Sequence, residues 1–131
     1  MRLRSVLVAD DSRVFRAVMS AVLREHNLEV FEAANGKEAL DLVLANRPDL
    51  VILDALMPLL SGFDVLAQLR QKAPDYKPVL FVVTGVYKSR RWETEARQAY
   101  EIQEYMEKPL EPEDLLAAVA RHFPDFSPRS T

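Results

Sequence analysis

The sequence contains no cysteine, no long hydrophobic run and no excess of positive charge. The absence of cysteine excludes disulfide bonds and cysteine-ligated metal sites, and it fits a reducing compartment. No segment approaches the roughly 20 apolar residues that a membrane-spanning helix needs, so we expect a cytoplasmic protein that does not contact membranes. The net charge of −3 gives no basic field to attract nucleic acid. His26 and His122 lie too far apart in sequence to indicate a histidine-built metal site.

The chain has 131 residues, of which 49% are hydrophobic, enough for one compact domain with a sizeable core. Three short runs are almost entirely apolar, as expected for strands buried on both faces of a sheet. These runs are Val6–Ala9, Leu50–Leu53 and Val79–Val83. An alternating segment at Glu29–Ala33 indicates an edge strand, and a short strand is expected near Tyr105. Strand and helix therefore alternate five times, which predicts a doubly wound α/β fold with five parallel strands.

Helical spacing of apolar residues defines the first and last predicted helices. The first helix follows Asp11 or Ser12, either of which can cap it. Its apolar face is predicted to consist of Val14, Ala17, Val18, Ala21 and Val22, with Arg13, Arg16, Ser20 and Arg24 on the other side. The last helix is predicted to start at Pro112 and to bury Leu115, Leu116, Val119 and Phe123. We expect the domain to span residues 1–124 and residues 125–131 to form a flexible tail.

Polar side chains follow four of the predicted strands. Asp10 and Asp11 follow the first strand, Asp54 the third, Thr84 the fourth and Lys108 the fifth. The carboxyl ends of parallel strands meet at one edge of a sheet, where such folds bind ligands. We therefore expect three carboxylates, one hydroxyl and one ammonium group to converge there.

Three close carboxylates repel one another by roughly 1–4 kcal/mol for each pair, so one must keep a proton or a cation must bind. Carboxylates with water and phosphate oxygens are the usual ligands of Mg²⁺. Asp10 and Asp11 are adjacent, which suits metal binding, whereas Asp54 ends a central strand alone and is the better nucleophile. Lys108 and Thr84 supply a positive charge and a hydroxyl donor for a phosphoryl group.

Taken together, these motifs resemble the receiver domain of two-component response regulators. The resemblance covers nearly the whole chain, from Val6 to about Phe123. It is carried by Val6–Ser12, Leu50–Pro58, Ser61–Asp64, Thr84–Gly85 and Lys108–Pro109. It implies the flavodoxin-like (βα)5 fold and a phosphoacceptor switch in a phosphorelay.

The resemblance also implies a role for each site residue. Asp54 matches the phosphorylated aspartate, and Asp10, Asp11, Asp54 and the backbone carbonyl of Leu56 match the ligands of Mg²⁺. Thr84 matches the switch hydroxyl, and Lys108 matches the lysine that holds a phosphoryl oxygen. Tyr105 matches the aromatic residue that changes rotamer on activation, and the Lys108–Pro109 bond is expected to be cis.

The implied partners are a sensor histidine kinase or phosphotransfer protein and an unidentified downstream protein, with no direct nucleic acid binding. The domain would catalyse only its own phosphorylation and dephosphorylation, and it would be a monomer or weak dimer. Trp92 and Tyr105 are candidate partner-surface residues, although Trp92 could equally be packed in the core. Leu56 and Val86 occupy positions that control the access of water, and because both are apolar we expect slow loss of the phosphoryl group.

Three other functions are less compatible with this sequence. A degenerate receiver that only binds partners is disfavoured by the complete set of polar strand-end residues. A Mg²⁺-dependent phosphohydrolase would carry a second aspartate two positions after Asp54, where this chain has Leu56. A flavin-binding domain would need a Ser/Thr-rich turn after the first strand, and Asp10 and Asp11 would repel the flavin phosphate.

Overall fold

The computed structural model describes residues 2–85 and 97–128, which form a single five-stranded sheet flanked by helices. Strands and helices alternate from the N-terminus, and all pairs of neighbouring strands are parallel. The elements are β1 (Ser5–Ala9), α1 (Arg13–Glu25), β2 (Glu29–Ala33), α2 (Gly36–Asn46), β3 (Leu50–Asp54), α3 (Gly62–Lys72), β4 (Val79–Thr84), β5 (Glu104–Glu107) and α4 (Pro112–His122). Residues 97–100 are also helical.

The strand order is β2-β1-β3-β4-β5, which places β3 in the centre and β2 at an edge, as predicted. Strand β2 lies on one side of β1, and β3, which follows β2 in the chain, lies on the other side of β1. The chain therefore reverses direction across the sheet between β1 and β3, and such a switch point opens a crevice at the carboxyl ends of the two strands. The predicted doubly wound fold is confirmed.

Each central strand buries side chains on both faces of the sheet, which explains why these strands read as continuous apolar runs. In β1, Val6 and Val8 belong to one core cluster, while Leu7 and Ala9 belong to the other. The first cluster packs under α1 and α4, and the second packs under α2 and α3. The four side chains that the last helix was predicted to bury are all buried: Leu115, Leu116, Val119 and, just after its end, Phe123.

The predicted apolar face of α1 is wrong except for Val22, which is partly buried against the core. Val14 is 73% exposed and Val18 is 42% exposed, while Ser20, expected on the polar side, is fully buried. The helix packs instead through Met19, Ser20 and Leu23, with Phe15 partly buried beside them. Both of its faces carry apolar residues at the same period, so spacing alone does not identify the one that meets the sheet.

The start of α1 is capped by Ser12, whose hydroxyl accepts a hydrogen bond from the Phe15 N–H at 3.3 Å. Of the two caps that the sequence allowed, Ser12 is therefore used, and the exposed carboxylate of Asp11 remains available for other contacts.

The end of β3 is in close contact with the start of α3. A Cβ atom added to Gly62 at the start of α3 would collide with the carbonyl oxygen of Asp54, so this close approach requires glycine.

Two residues of the predicted tail contact the domain. The Asp125 carboxylate accepts a hydrogen bond from the Leu3 N–H at 3.2 Å, and the Phe126 ring lies 5.2 Å from that of His26. The boundary at residue 124 stays a prediction, and these contacts favour a folded unit that continues through Phe126. Among the residues that the structure describes, no helix has the length and apolar character to cross a membrane.

Candidate functional site

The carboxyl ends of β1 and β3 bring three carboxylates together. Asp10, Asp11 and Asp54 each offer an oxygen, and these oxygens lie within 4.8 Å of one another. Asp10 and Asp54 are buried, whereas Asp11 is exposed, so the group opens to solvent on one side. A set of carboxylate oxygens with one open side matches the way Mg²⁺ is usually bound, with water and phosphate oxygens completing its ligands.

Backbone donors fix the orientation of both buried carboxylates. Asp10 Oδ1 accepts from the Ser12 N–H at 2.8 Å, and Asp54 Oδ1 accepts from the Leu56 N–H at 3.1 Å. In each case the donor lies two residues further along the chain, where the backbone turns after the strand. The second oxygen of each carboxylate is therefore directed to the shared space between β1 and β3.

Lys108 joins the two buried carboxylates. Its Nζ lies 2.7 Å from Asp10 Oδ2 and 3.6 Å from Asp54 Oδ2. The ammonium group also lies 4.4 Å from the centre of the Phe15 ring, whose face attracts cations. The Lys108–Pro109 peptide bond is cis, as expected.

Burial and charge shift the proton affinities of this group. Burial raises the pKa of Asp54, and the nearby Asp10 carboxylate raises it further, against the lowering effects of the Leu56 N–H and of Lys108. Burial alone would lower the pKa of Lys108, but its hydrogen bond and charge interaction with Asp10 raise it above the ordinary value. The raised pKa of Lys108 keeps its ammonium group protonated, whereas the raised pKa of Asp54 makes ionisation of this carboxyl group less favourable.

Thr84 is buried and ends β4, one residue beyond Val83, the residue that pairs with Asp54. The Thr84 carbonyl oxygen accepts a hydrogen bond from the Lys108 N–H at 2.9 Å, which holds the backbone of Lys108 against the end of β4. Tyr105 lies in β5 opposite Val82, partly buried.

The structure describes two of the other predicted site residues, Leu56 and Tyr105. The Leu56 side chain is 49% exposed beside Asp54. The Tyr105 ring stacks on that of Phe63 at 6.5 Å between centres. Trp92 and Val86 lie outside the residues that the structure describes, so their predicted roles stay predictions.

Two residues of α1 contribute to the site although no sequence motif marks them. Phe15 forms the aromatic floor beneath the Lys108 ammonium group. Arg16, predicted on the polar side of α1, donates from Nη1 to the Asp10 carbonyl oxygen at 2.7 Å. Arg16 follows the acidic pair by one helical turn, which is the distance at which a long side chain can reach back to the strand end.

Comparison with known proteins agrees with this geometry. The family model of the response regulator receiver domain matches residues 6–120. The chain belongs to the response regulator receiver family. Response regulators act in two-component signalling, and the predicted family is thereby confirmed.

Curated relatives of this receiver domain include "Response regulator MprA" of Mycobacterium sp. (strain KMS), which is 37% identical over 95% of this chain and 54% of that protein. "Transcriptional regulatory protein PdtaR" of Mycobacterium tuberculosis (strain ATCC 25618 / H37Rv) is 34% identical over 88% of this chain and 55% of that protein. The chain spans about half the length of these relatives. Among solved structures, the Vibrio cholerae chemotaxis protein CheY4 matches with a TM-score of 0.80 and 29% identity, over 91% of this chain and 98% of that one.

Proposed function

We propose that this receiver domain is a phosphoacceptor switch that takes a phosphoryl group on Asp54. The observation that carries the proposal is the position of Lys108, whose ammonium group lies between the buried carboxylates of Asp10 and Asp54. A cation held there can attract a phosphoryl group and then stabilise the charge that develops on its oxygens. Lys108 pairs with two carboxylates, and Asp11 brings a third carboxylate oxygen within 4.8 Å of them, which is more negative charge than one lysine can balance.

The chemistry assigns one task to each residue. A carboxylate oxygen of Asp54 forms a bond to phosphorus while the bond from phosphorus to the donor's leaving group breaks, which yields an aspartyl phosphate. Lys108 pairs with a phosphoryl oxygen, and the Thr84 hydroxyl donates to another. Asp10, Asp11, Asp54 and the Leu56 carbonyl would hold Mg²⁺, which when bound neutralises phosphoryl charge and orients the group for in-line attack.

The raised pKa of Asp54 has a consequence for this step. The nucleophile must be ionised, and burial works against ionisation. Lys108 lowers this cost because it lies 3.6 Å from Asp54 Oδ2. The same ammonium group thus keeps Asp54 reactive before transfer and holds the phosphoryl oxygen after it.

The phosphoryl group would come from a sensor histidine kinase or a phosphotransfer protein, and the output would be a changed surface for a downstream protein. Movement of Thr84 toward the phosphoryl group would free space beside β5, where Tyr105 stacks on Phe63. A switch from mostly inactive to mostly active needs roughly 3–5.5 kcal/mol of differential stabilisation. Trp92 stays a partner residue proposed from the sequence alone. A monomer or weak dimer suffices for this function.

Intact mass after incubation with Mg²⁺ and acetyl phosphate tests the proposal. The wild-type chain is expected to gain the mass of one phosphoryl group, and the Asp54→Asn variant is expected to gain none. Asp41→Asn is the matched control because Asp41 is exposed on α2 and makes none of the contacts of the site, so it should behave as wild type. An unmodified wild-type chain would favour a receiver that only binds partners, and label on Asp54→Asn would refute Asp54 as the acceptor.

A further inference from the structure

A cavity of about 250 Å³ opens at the end of the sheet opposite to Asp54. It lies between the last turns of α3, the start of β4 and residues 100–103. We call it the basal cavity. Its residues take no part in the site described above, and neither the family match nor the proposed phosphotransfer chemistry assigns it a role.

The floor of the basal cavity is apolar. Leu66 and Leu69 of α3 line it together with Ala73 and Leu80, and all four side chains are buried. An apolar cavity of about 150 Å³ is enough to bind benzene in a well-packed protein. The basal cavity therefore has room for a small ligand with one or two fused rings, and it is smaller than the sites that take larger ligands.

Among the described residues that line the basal cavity, two are cationic and one is anionic. Arg70 Nη2 and Lys77 Nζ approach the same oxygen, Glu101 Oε2, at 4.0 Å and 3.9 Å. These distances are long for ion pairs, and all three side chains are more than half exposed. The two cations thus share one loosely held carboxylate, and a second anion at the rim would meet a net attraction.

The backbone that presents Glu101 is itself strained. Its φ of 55° lies in the left-handed region, which costs a residue with a Cβ atom roughly 1–2 kcal/mol. The Ile102 N–H donates to the Arg97 carbonyl oxygen and the Gln103 N–H donates to the Leu80 carbonyl oxygen, and these bonds hold the conformation. The rim carboxylate is therefore placed by the backbone and not by a strong pairing with Arg70 or Lys77.

We propose that the basal cavity binds a small organic anion with an apolar body, such as an aromatic carboxylate. The rings occupy the floor under α3, and the carboxylate replaces or supplements Glu101 as the partner of Arg70 and Lys77. The Arg70 guanidinium, whose centre lies 6.0 Å from that of the Tyr100 ring, stays at the mouth of the cavity.

Titration with 2-naphthoate, followed by amide NMR shifts of the full chain, tests this proposal. Saturable shifts are expected at Leu69, Leu80 and Gln103, and the neutral analogue 2-naphthalenemethanol is expected to bind more weakly. The double variant Arg70→Gln/Lys77→Gln should weaken 2-naphthoate binding by about tenfold, at a few tenths to one kcal/mol for each exposed cation. Lys72→Gln is the control, because it removes one positive charge from α3 at a residue that does not line the cavity.

Glu101→Gln gives a change of opposite sign, since it removes the competing carboxylate and should tighten 2-naphthoate binding by a few fold. The proposal is overturned if the shifts lie elsewhere, if the neutral analogue binds equally well, or if Lys72→Gln weakens binding as much as the double variant. It is also overturned if Glu101→Gln weakens binding. Because the two probes are compared on the wild-type chain, a variant that fails to fold leaves the charge test intact.

Discussion

Replacing the proposed phosphoacceptor by its neutral amide should make the metal-free protein more stable. At an effective dielectric of about 20, the Asp10 charge within 4.8 Å repels Asp54 by about 3.5 kcal/mol, and Lys108 at 3.6 Å attracts it by about 4.6 kcal/mol. Asp11 is exposed, so its repulsion is screened to about 1 kcal/mol. These charge interactions nearly cancel, so the burial of Asp54, a residue that is only 6% exposed, is offset mainly by the hydrogen bond from the Leu56 N–H, which a neutral amide oxygen can also accept.

We expect Asp54→Asn to raise the free energy of unfolding by about 1–2 kcal/mol near neutral pH, which is the usual cost of a buried polar group that is incompletely paired, or the melting temperature by about 3–8 °C. The amide oxygen can still accept from the Leu56 N–H, so the local turn is kept. Urea unfolding without divalent cations measures the difference. Asp49→Asn is a control that should lower the free energy of unfolding. The Asp49 carboxylate accepts hydrogen bonds from the Arg4 and Ser5 N–H groups, and such bonds are stronger to a charged acceptor than to a neutral amide.

The pH dependence of this difference follows from the raised pKa of Asp54. An acid with a raised pKa in the folded state contributes stability that is fully present below its unfolded pKa and is lost as the pH rises through the folded value. Wild type and Asp54→Asn should therefore converge below about pH 4 and separate as the pH rises. Mg²⁺ should narrow the gap, since it binds the folded wild type. A variant that is less stable than wild type at neutral pH without metal would refute this reasoning.

Three further outcomes are expected. Ser20→Ala should raise the free energy of unfolding by about 1 kcal/mol in urea melts, because the buried Ser20 hydroxyl has no hydrogen-bond partner among the described residues; a loss of stability would contradict this. Burial favours a raised pKa for Glu104, but Arg121 and His122 outweigh it and lower the pKa. Glu104→Gln should thus cost about 1 kcal/mol near neutral pH. In a pH series of melts the difference should begin to shrink near pH 4 and should be lost as the pH falls through the lowered pKa of folded Glu104. Leu56→Asn should shorten the lifetime of the phosphoryl group, since an amide can hydrogen-bond an attacking water; an unchanged lifetime would exclude this role.

The strand ends were predictable from the sequence because they depend on two simple regularities. Runs such as Leu50–Leu53 are apolar on both faces only when a sheet is covered on both sides, and parallel strands then align their carboxyl ends. From this alone, Asp10, Asp54 and Lys108 were expected to meet, and their atoms do lie within a few ångströms. Their chemical roles do not follow from position alone and stay predictions.

The helix faces and the basal cavity were not predictable in the same way. The α1 helix carries one apolar stripe through Val14 and Val18 and another through Met19 and Leu23, with the same period. Periodicity identifies a helix and its stripes, but packing against the sheet selects between them. The bulkier side chains face the core here. The basal cavity is lined in part by Glu101, whose backbone is left-handed, and no residue type in that segment signals such a conformation.

The distribution of buried polar side chains connects the fold to its proposed chemistry. In the described part of the chain the buried polar residues are Asp10, Ser20, Asp54 and Thr84, and all except Ser20 lie at the carboxyl ends of β1, β3 and β4. A polar group removed from water costs free energy unless it is paired, and buried carboxylates cost the most. The helices and the rest of the sheet supply the apolar burial that offsets this cost. The buried polar side chains at the strand ends thus lie in the crevice where a phosphoryl group and a cation could interact with them. For this reason, replacing Asp54 by a neutral residue should increase stability and abolish its proposed role.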